Sequence, residues 1–282
     1  METLFLNFLN GLSFGAVLFL LASGLSLALG LMGILNLAHG ALFLVGAYVG
    51  ISVSKAGGNF LLAGLLGGLT AAAIGLIMER GFLRHLHGLI MEQVLISFGF
   101  IYVLTNSASW IWGTDTQTAS MPISGAVVIG DMHFPNYRLV LVAVGLAVAV
   151  GLYLFDRTRI GAMVRAGMDN AEMTGGLGVN LVLVSTGVFC LAAFLAGFGG
   201  ILGVQIMGAY PEIALDALTL ALIVVVVGGT GSIPGALAAS LLLGLLDSFG
   251  KAFFPALASY TMYVALIIVL LFRPSGLLGK RA

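Results

Sequence analysis

The first candidate functional side chains lie in a glycine-rich segment near the N-terminus, Gly30–Gly40, with the sequence GLMGILNLAHG. It combines glycines with the amide of Asn36 and the imidazole of His39, inside a stretch without formal charge from Thr3 to Ser54. Unwound backbone and polar groups at membrane depth often line a solute path, so the segment predicts part of a pathway. The alternative is that both side chains bond neighbouring helices and the glycines permit close packing. The candidate pathway residues here are Gly33, Asn36, His39 and Gly40.

A second candidate segment is the loop 156–182, in which Asp169 and Glu172 have the spacing of a capping box. The box predicts a short helix that opens there and ends at Gly175, Gly176 and Gly178. Lying across the bottom of a membrane domain, such a helix can dock into a soluble partner. The alternative is an interfacial linker held by basic residues. The predicted docking contact consists of Ala166, Met168 and Ala171, flanked by Arg159 and Arg165.

A third segment, Gly228–Gly235 with the sequence GGTGSIPG, interrupts the uncharged stretch Ala217–Leu246 with poor helix formers. It predicts two short elements that meet at a break. A discontinuous helix would direct backbone dipoles at a central path, whereas the alternative is a tight loop between two ordinary helices. The candidate pathway residues in this segment are Gly228, Gly229, Gly231 and Ser232.

Other kinds of chemistry have no support in the sequence. It contains no Ser/His/Asp set, no metal-ligand spacing and no phosphate-binding loop, so we expect neither an enzyme nor a cofactor in this chain. Asp216 and Asp247 fall near predicted helix ends, which argues against the buried carboxylate relay of an ion-driven carrier. The lone Cys190 permits no internal disulfide. Energy for transport would therefore come from outside the chain.

The composition defines the elements that must position these segments. Of 282 residues, 60% are hydrophobic and 8% charged, against about 25% charged in a soluble domain. A net charge of zero provides no basic field for nucleic acid. We predict an all-α integral membrane protein, a single domain over residues 1–282 with about eight or nine spans and broken or re-entrant helices. The N-terminus lacks the basic region of a cleaved secretory signal.

Basic residues in short loops predict the orientation. Lys55, Arg138 and Lys251 fall on one side, and the loop 113–136 on that side has short β-branched runs that suggest a small hairpin or lid, or else a plain connection. The other side becomes the cytoplasm, with the N-terminus outside and the C-terminus inside. It carries eight of the eleven basic residues: Arg80, Arg84, Arg157, Arg159, Arg165, Arg273, Lys280 and Arg281.

Four ordered segments together resemble the shorter permease of branched-chain amino-acid ABC importers. They are Gly33–Gly40, Arg159–Asn170, Gly228–Ala236 and Arg273–Gly279. The resemblance implies a multi-pass subunit of a bacterial inner membrane that pairs with a second related permease, two cytoplasmic ABC ATPases holding ATP and Mg, and a periplasmic solute-binding protein. It also implies that the ATPase-coupling residues are Arg159, Gly161, Arg165, Ala166, Asp169, Asn170, Glu172 and Gly178.

This sequence departs from the family pattern at two places. Ala41 stands where many relatives have an acid, and Thr174 with Gly175–Gly176 replaces an Ala-rich turn. The resemblance implies alternating access, in which motion of the ATPases passes through the coupling loop and branched-chain or other small hydrophobic amino acids move inward. The alternatives are urea, short amides or aromatic carboxylates as solutes, a passive channel for a small neutral solute, and a scaffolding protein.

Overall fold

The computed structural model describes residues 2–33, 36–86, 88–119, 125–129 and 132–279, and these form a helical bundle with one short hairpin. The helices of the described residues are α1 Glu2–Met32, α2 His39–Lys55, α3 Phe60–Gly81, α4 Ile90–Trp112, α5 Asn136–Asp156, α6 Arg159–Asp169, α7 Ala171–Gly176, α8 Leu181–Met207, α9 Ile213–Gly228, α10 Ile233–Phe253 and α11 Thr261–Phe272. Two 3₁₀ turns, Leu83–Leu86 and Pro255–Tyr260, precede α4 and α11, and the strands are β1 Ala126–Ile129 and β2 Met132–Pro135.

Seven helical segments in the described part of the chain are long and apolar enough to cross a membrane. They are α1, α3, α4, α5, α8, α10 and Pro255–Phe272, which includes α11. The shorter helices α2 and α9, with 17 and 16 residues, lie among them and are largely buried. Counted as further spans, these two bring the total in the described ranges from seven to nine, the upper number predicted.

The two ends of the bundle carry different charges, as predicted. Glu79 at the end of α3 is buried and accepts a hydrogen bond of 2.9 Å from Thr186 near the start of α8, so the loop with Arg80 lies beside the α6–α7 segment. At the opposite end, Lys55 donates to Gln117 at 2.8 Å. The positive-inside rule makes the arginine-rich end the cytoplasmic one. Lys280 and Arg281 lie outside the described residues.

Glycines bring the membrane helices into backbone contact. A Cβ atom added to Gly67 of α3 would lie 2.6 Å from the Gly46 carbonyl oxygen of α2, and one added to Gly197 of α8 would lie 2.7 Å from the Gly67 oxygen. Helices in lipid associate through such close packing because lipid tails are as apolar as the side chains. Three helices therefore share one glycine junction, with Phe43 and Tyr48 of α2 fully buried beside it.

The external loop contains a hairpin. Its strands β1 and β2 pair antiparallel, with Ala126 opposite Pro135 and Ile129 opposite Met132, and Phe134 is buried. The hairpin prediction for the loop 113–136 is thus confirmed over its described part, and the plain connection is excluded there. Residues 120–124, 130 and 131 of the predicted lid lie outside the described residues.

The chain re-enters the bundle between α1 and α2. Gly33 ends α1 with a φ of +62°. His39, the first residue of α2, then places Nε2 2.8 Å from the carbonyl oxygen of Leu21. Leu21 lies eleven residues before the end of α1 at Met32, so α2 starts about 16 Å inside that end. Leu37 N donates to Ser97 Oγ of α4 at 3.2 Å within the same region.

We expect Gly46→Ala to destabilise the protein, because the added Cβ would overlap the backbone of Gly197 and force α2 away from α8. Overpacking of this kind costs about 1–3 kcal/mol. The matched control is Gly99→Ala in α4, where a Cβ meets open space and alanine favours the helix. Thermal unfolding in detergent should show a lower midpoint for Gly46→Ala alone; equal midpoints would contradict the junction.

Candidate functional site

The break between α9 and α10 is made by residues that suit a sharp turn. Gly229 and Gly231 have φ values of +98° and +75°, in the left-handed region that favours glycine. Ser232 then caps α10 by accepting a 3.0 Å hydrogen bond from Gly235 N, and Pro234 lies in the first turn. The prediction of two elements that meet at a break is confirmed. The chain reverses there, because the Gly228 and Gly235 backbones are in contact, so the break is a tight loop between two helices and not a discontinuous helix.

The prediction that both elements are short is wrong for α10, which runs past Leu246 to Phe253. The charged residues that ended the uncharged stretch do not end the helix. Asp247 and Lys251, four residues apart, form an ion pair of 2.6 Å on its surface. Such a pair is compatible with a continuing helix.

The segment 273–279, here called the C-terminal strap, binds the end of α9. Leu277 N donates to the Val227 carbonyl oxygen at 2.8 Å, and Leu278 N donates to the Gly228 oxygen at 3.1 Å. The last carbonyls of a helix have no partner within the helix, and at membrane depth water cannot replace one. The strap therefore satisfies carbonyls that the break would otherwise leave exposed. From the sequence, this segment indicated only a basic C-terminal end and a resemblance to the permease family.

Glycines permit the strap to approach the break. A Cβ atom added to Gly229 would lie 2.5 Å from Gly279 N, and one added to Gly276 would lie 2.6 Å from Gly229 N. Gly276 also has a φ of +80°. The two glycine-rich segments of the sequence are thus two sides of one contact, and this complementarity is the signal that could have paired them.

The coupling loop contains two helices, α6 and α7, where one was predicted. Thr158 caps α6 by accepting from Gly161 N at 3.2 Å, and Asn170 caps α7 by accepting from Met173 N at 2.9 Å. The prediction that Asp169 opens the short helix is wrong, because Asp169 is the last residue of α6. Asn170 has extended backbone, with φ −156° and ψ 100°, and this interrupts the helical run.

The α6–α7 segment has a buried face and an exposed face. Gly161, Val164 and Gly167 face the bundle. Met168 is half-buried on the same side, with its terminal methyl group close to Gly30 and Gly231, and its part in a docking contact stays a prediction. The large exposed apolar side chains of this segment are Ile160, Met163, Met173 and Leu177, the last 81% exposed. The other predicted coupling residues that are exposed are Arg159, Arg165, Ala166, Asp169, Asn170, Ala171, Glu172 and Gly178.

Arg165 holds α6 against the end of α5. Its guanidinium forms an ion pair of 2.5 Å with the Asp156 carboxylate and also donates to the Asp156 carbonyl oxygen. Both side chains are nearly half exposed, at 49% and 41%. Water screens such a pair, so it orients α6 more than it stabilises the fold.

The first predicted segment has internal partners within this chain. Asn36 is buried and its Oδ1 accepts from Ala38 N at 3.0 Å, while buried His39 bonds to α1 as described. Gly40 lies against the Ala214 backbone of α9, where a Cβ would clash. Gly33 is exposed at the end of α1, and residues 34 and 35 lie outside the described residues. A pathway role for this segment stays a prediction.

A cavity of about 1110 Å³, here called the inner groove, lies at the cytoplasmic end of the bundle. Its apolar walls include Phe19, Leu27, Leu146, Val150 and Leu237. The groove brings together Gly229, Gly231 and Ser232 of the break with Arg165 and Asp169 of α6. Of the predicted pathway residues, Gly33, Asn36, His39, Gly40 and Gly228 do not line it.

Comparison with known proteins gives consistent similarities. Residues 7–272 match the family described as branched-chain amino acid transport system / permease component. The high-affinity branched-chain amino acid transport system permease protein BraD of Pseudomonas aeruginosa is 31% identical, over 96% of this chain and 94% of that protein. Its counterpart LivH of Escherichia coli is 30% identical, over 99% and 98%.

A solved structure shares the fold. PsaBC from Streptococcus pneumoniae, in complex with Fab, superposes with a TM-score of 0.53 and 13% identity, over 93% of this chain and 89% of that one. At this identity the likeness concerns the fold alone.

We expect Gly276→Ala to destabilise the protein more than Gly57→Ala. Both glycines have positive φ, +80° and +86°, so both alanines carry the backbone penalty of about 1–2 kcal/mol. Only at Gly276 would the new Cβ meet another chain segment, whereas at Gly57 it meets open space. The difference between the two unfolding midpoints isolates the strap contact, and the absence of a difference would argue against it.

Proposed function

This chain belongs to the family of branched-chain amino acid transport permease components, and from that premise we propose that it carries branched-chain or other small hydrophobic amino acids inward across a bacterial inner membrane. Family membership makes it a multi-pass transport subunit and not an enzyme. The amino-acid class follows the names of BraD and LivH, neither of which is named for urea, amides or aromatic carboxylates.

The observation that carries the proposal is the inner groove. Its volume of about 1110 Å³ exceeds what one small solute needs, since ligand pockets measure about 300–1,000 Å³. Apolar walls suit an aliphatic side chain, while the hydroxyls of Thr230, Ser232 and Ser275 can bond polar groups of the solute. We propose the groove as the inner part of the solute path. The re-entrant segment with Asn36 and His39 is our candidate for its deeper part.

Membership of this family implies partner proteins. Permeases of ABC importers work with cytoplasmic ATPases, which bind ATP and Mg, and with an external solute-binding protein. We further propose a second, related permease as the membrane partner. Leu146 and Val150 line the groove and are 63% and 50% exposed, so the groove has an open side that a neighbouring permease would close.

The proposed mechanism is alternating access. The exposed apolar side chains Ile160, Met173 and Leu177 suit docking of the ATPases on α6 and α7. ATP binding would then move these helices and open or close the groove behind them. A passive channel has no use for such a docking surface, and this distinguishes the two functions.

We expect Val150→Trp to reduce the rate of transport at least about tenfold, because the indole would occupy the groove. A tenfold loss corresponds to a rise of about 1.4 kcal/mol in the transport barrier. The measurement is ATP-dependent uptake of labelled leucine by proteoliposomes, using the complex purified from its native host through a tag on this chain. The matched control is Val103→Trp, a similarly exposed valine of α4 that does not line the groove.

The comparison requires that both variants retain the ATPases of the wild-type complex on purification. Uptake by Val150→Trp at the rate of Val103→Trp would remove the groove from the path. Uptake that persists in wild-type proteoliposomes without ATP would favour the passive channel.

A further inference from the structure

One contact joins the cytoplasmic helix α6 directly to the break between α9 and α10. The Met168 side chain points from α6 towards the bundle, where its terminal methyl group packs against Gly30 at the end of α1 and against Gly231 of the break. A Cβ atom added to either glycine would lie 2.6 Å from this methyl group. Met168 therefore fills the space that side chains at both glycine positions would take.

The two glycines also bring their own backbones together. A Cβ atom on Gly30 would lie 2.6 Å from the Gly231 Cα, and one on Gly231 would lie 3.1 Å from the Gly30 Cα. Closely packed groups have low compressibility and pass on displacement. Met168 and both glycines also line the inner groove, so movement of the methyl group reaches the two backbones by direct contact at this wall of the cavity.

The buried face of α6 continues this packing. A Cβ atom on Gly167 would lie 3.0 Å from a methyl group of Leu31 in α1, and Arg165 ties α6 to Asp156 at the end of α5. The same Cβ would lie 3.0 Å from a methyl group of Leu181 in α8, so α6 is held by the ends of three membrane helices. At Met168 it also contacts the break.

We infer that Met168 is the positioning residue that transmits movement of α6 to the break. From Gly231 the movement passes to Ser232, the cap of α10, whose first residues line the inner groove. This inference rests on the proposed function, since α6 has to receive its movement from the ATPases. An unbranched, flexible thioether suits the task because it keeps contact with two backbones while they shift.

The experiment compares Met168→Leu and Met168→Ala with the same changes at Met91, an exposed methionine of α4. Leucine keeps most of the volume but is shorter, and alanine removes the contact. The readout is leucine uptake per ATP hydrolysed by the tagged native complex in proteoliposomes. Mutations that weaken coupling change it by about 0.5–2 kcal/mol, so we expect a loss of about threefold for leucine and tenfold or more for alanine.

ATPase binding and the rate of ATP hydrolysis should stay within about twofold of wild type in all four variants, because the contact lies behind the docking surface. A general structural defect would lower these quantities together with uptake and would not change their ratio. If Met168→Ala does not fold, the volume-conserving Met168→Leu decides alone.

A wild-type ratio in the Met168 variants that fold would overturn the inference and leave the proposed function intact. A loss of the same size in the Met91 variants would also overturn it. A wild-type complex without ATPases or ATP-dependent uptake would instead refute the proposed function, and the inference with it.

Discussion

Backbone polar groups inside a membrane must find partners within the protein, and this constraint shapes the cytoplasmic end of the bundle. The chain breaks its helices at two places there, after α1 and between α9 and α10. At the first, Ser97 of α4 accepts from the unwound backbone at Leu37. At the second, the C-terminal strap donates to the carbonyls of Val227 and Gly228. Each break is therefore supported by hydrogen bonds with another part of the chain.

Glycine makes these arrangements possible at two levels. Within the membrane, Gly46, Gly67 and Gly197 allow three helices to meet backbone to backbone. At the cytoplasmic end, Gly229 and Gly276 let the strap lie on the break, while Gly30 and Gly231 leave room for one methionine from α6. The helices provide a rigid frame, and the break, strap and α6 form one connected unit at its cytoplasmic end. The inner groove lies against this unit and is lined by Arg165, Met168 and Asp169 of α6, so the proposed solute path borders the helix proposed to receive the ATPases.

Much of this could be predicted from the sequence. Composition identified the membrane class, and the glycine-rich segments located both breaks, because each of these is a local or summed property. Which end is cytoplasmic stays a prediction from the basic residues. The strap contact is not a local property, since Leu277 and Val227 are distant in sequence, and the glycines that both segments contain are its signal in the sequence. The capping-box spacing assigned the helix cap to Asp169 and not to Asn170. Both side chains carry an oxygen that can accept at a helix N-terminus, and the extended backbone of Asn170 distinguishes them. The direction of Met168 follows from its spacing, because Gly161, Val164 and Met168 occupy positions i, i+3 and i+7 on one face of an amphipathic helix.

The central claim is that α6 and the break move as one unit when the ATPases bind ATP. Electron-spin distances in the native complex test it, with Cys190 replaced by serine and labels on three exposed residues: Met163 of α6, Thr230 of the break and Val103 of α4. The account predicts that ATP leaves the distance from Met163 to Thr230 unchanged, while the distances from both to Val103 change together. A Met163–Thr230 distance that changes, with Thr230 fixed relative to Val103, would contradict it.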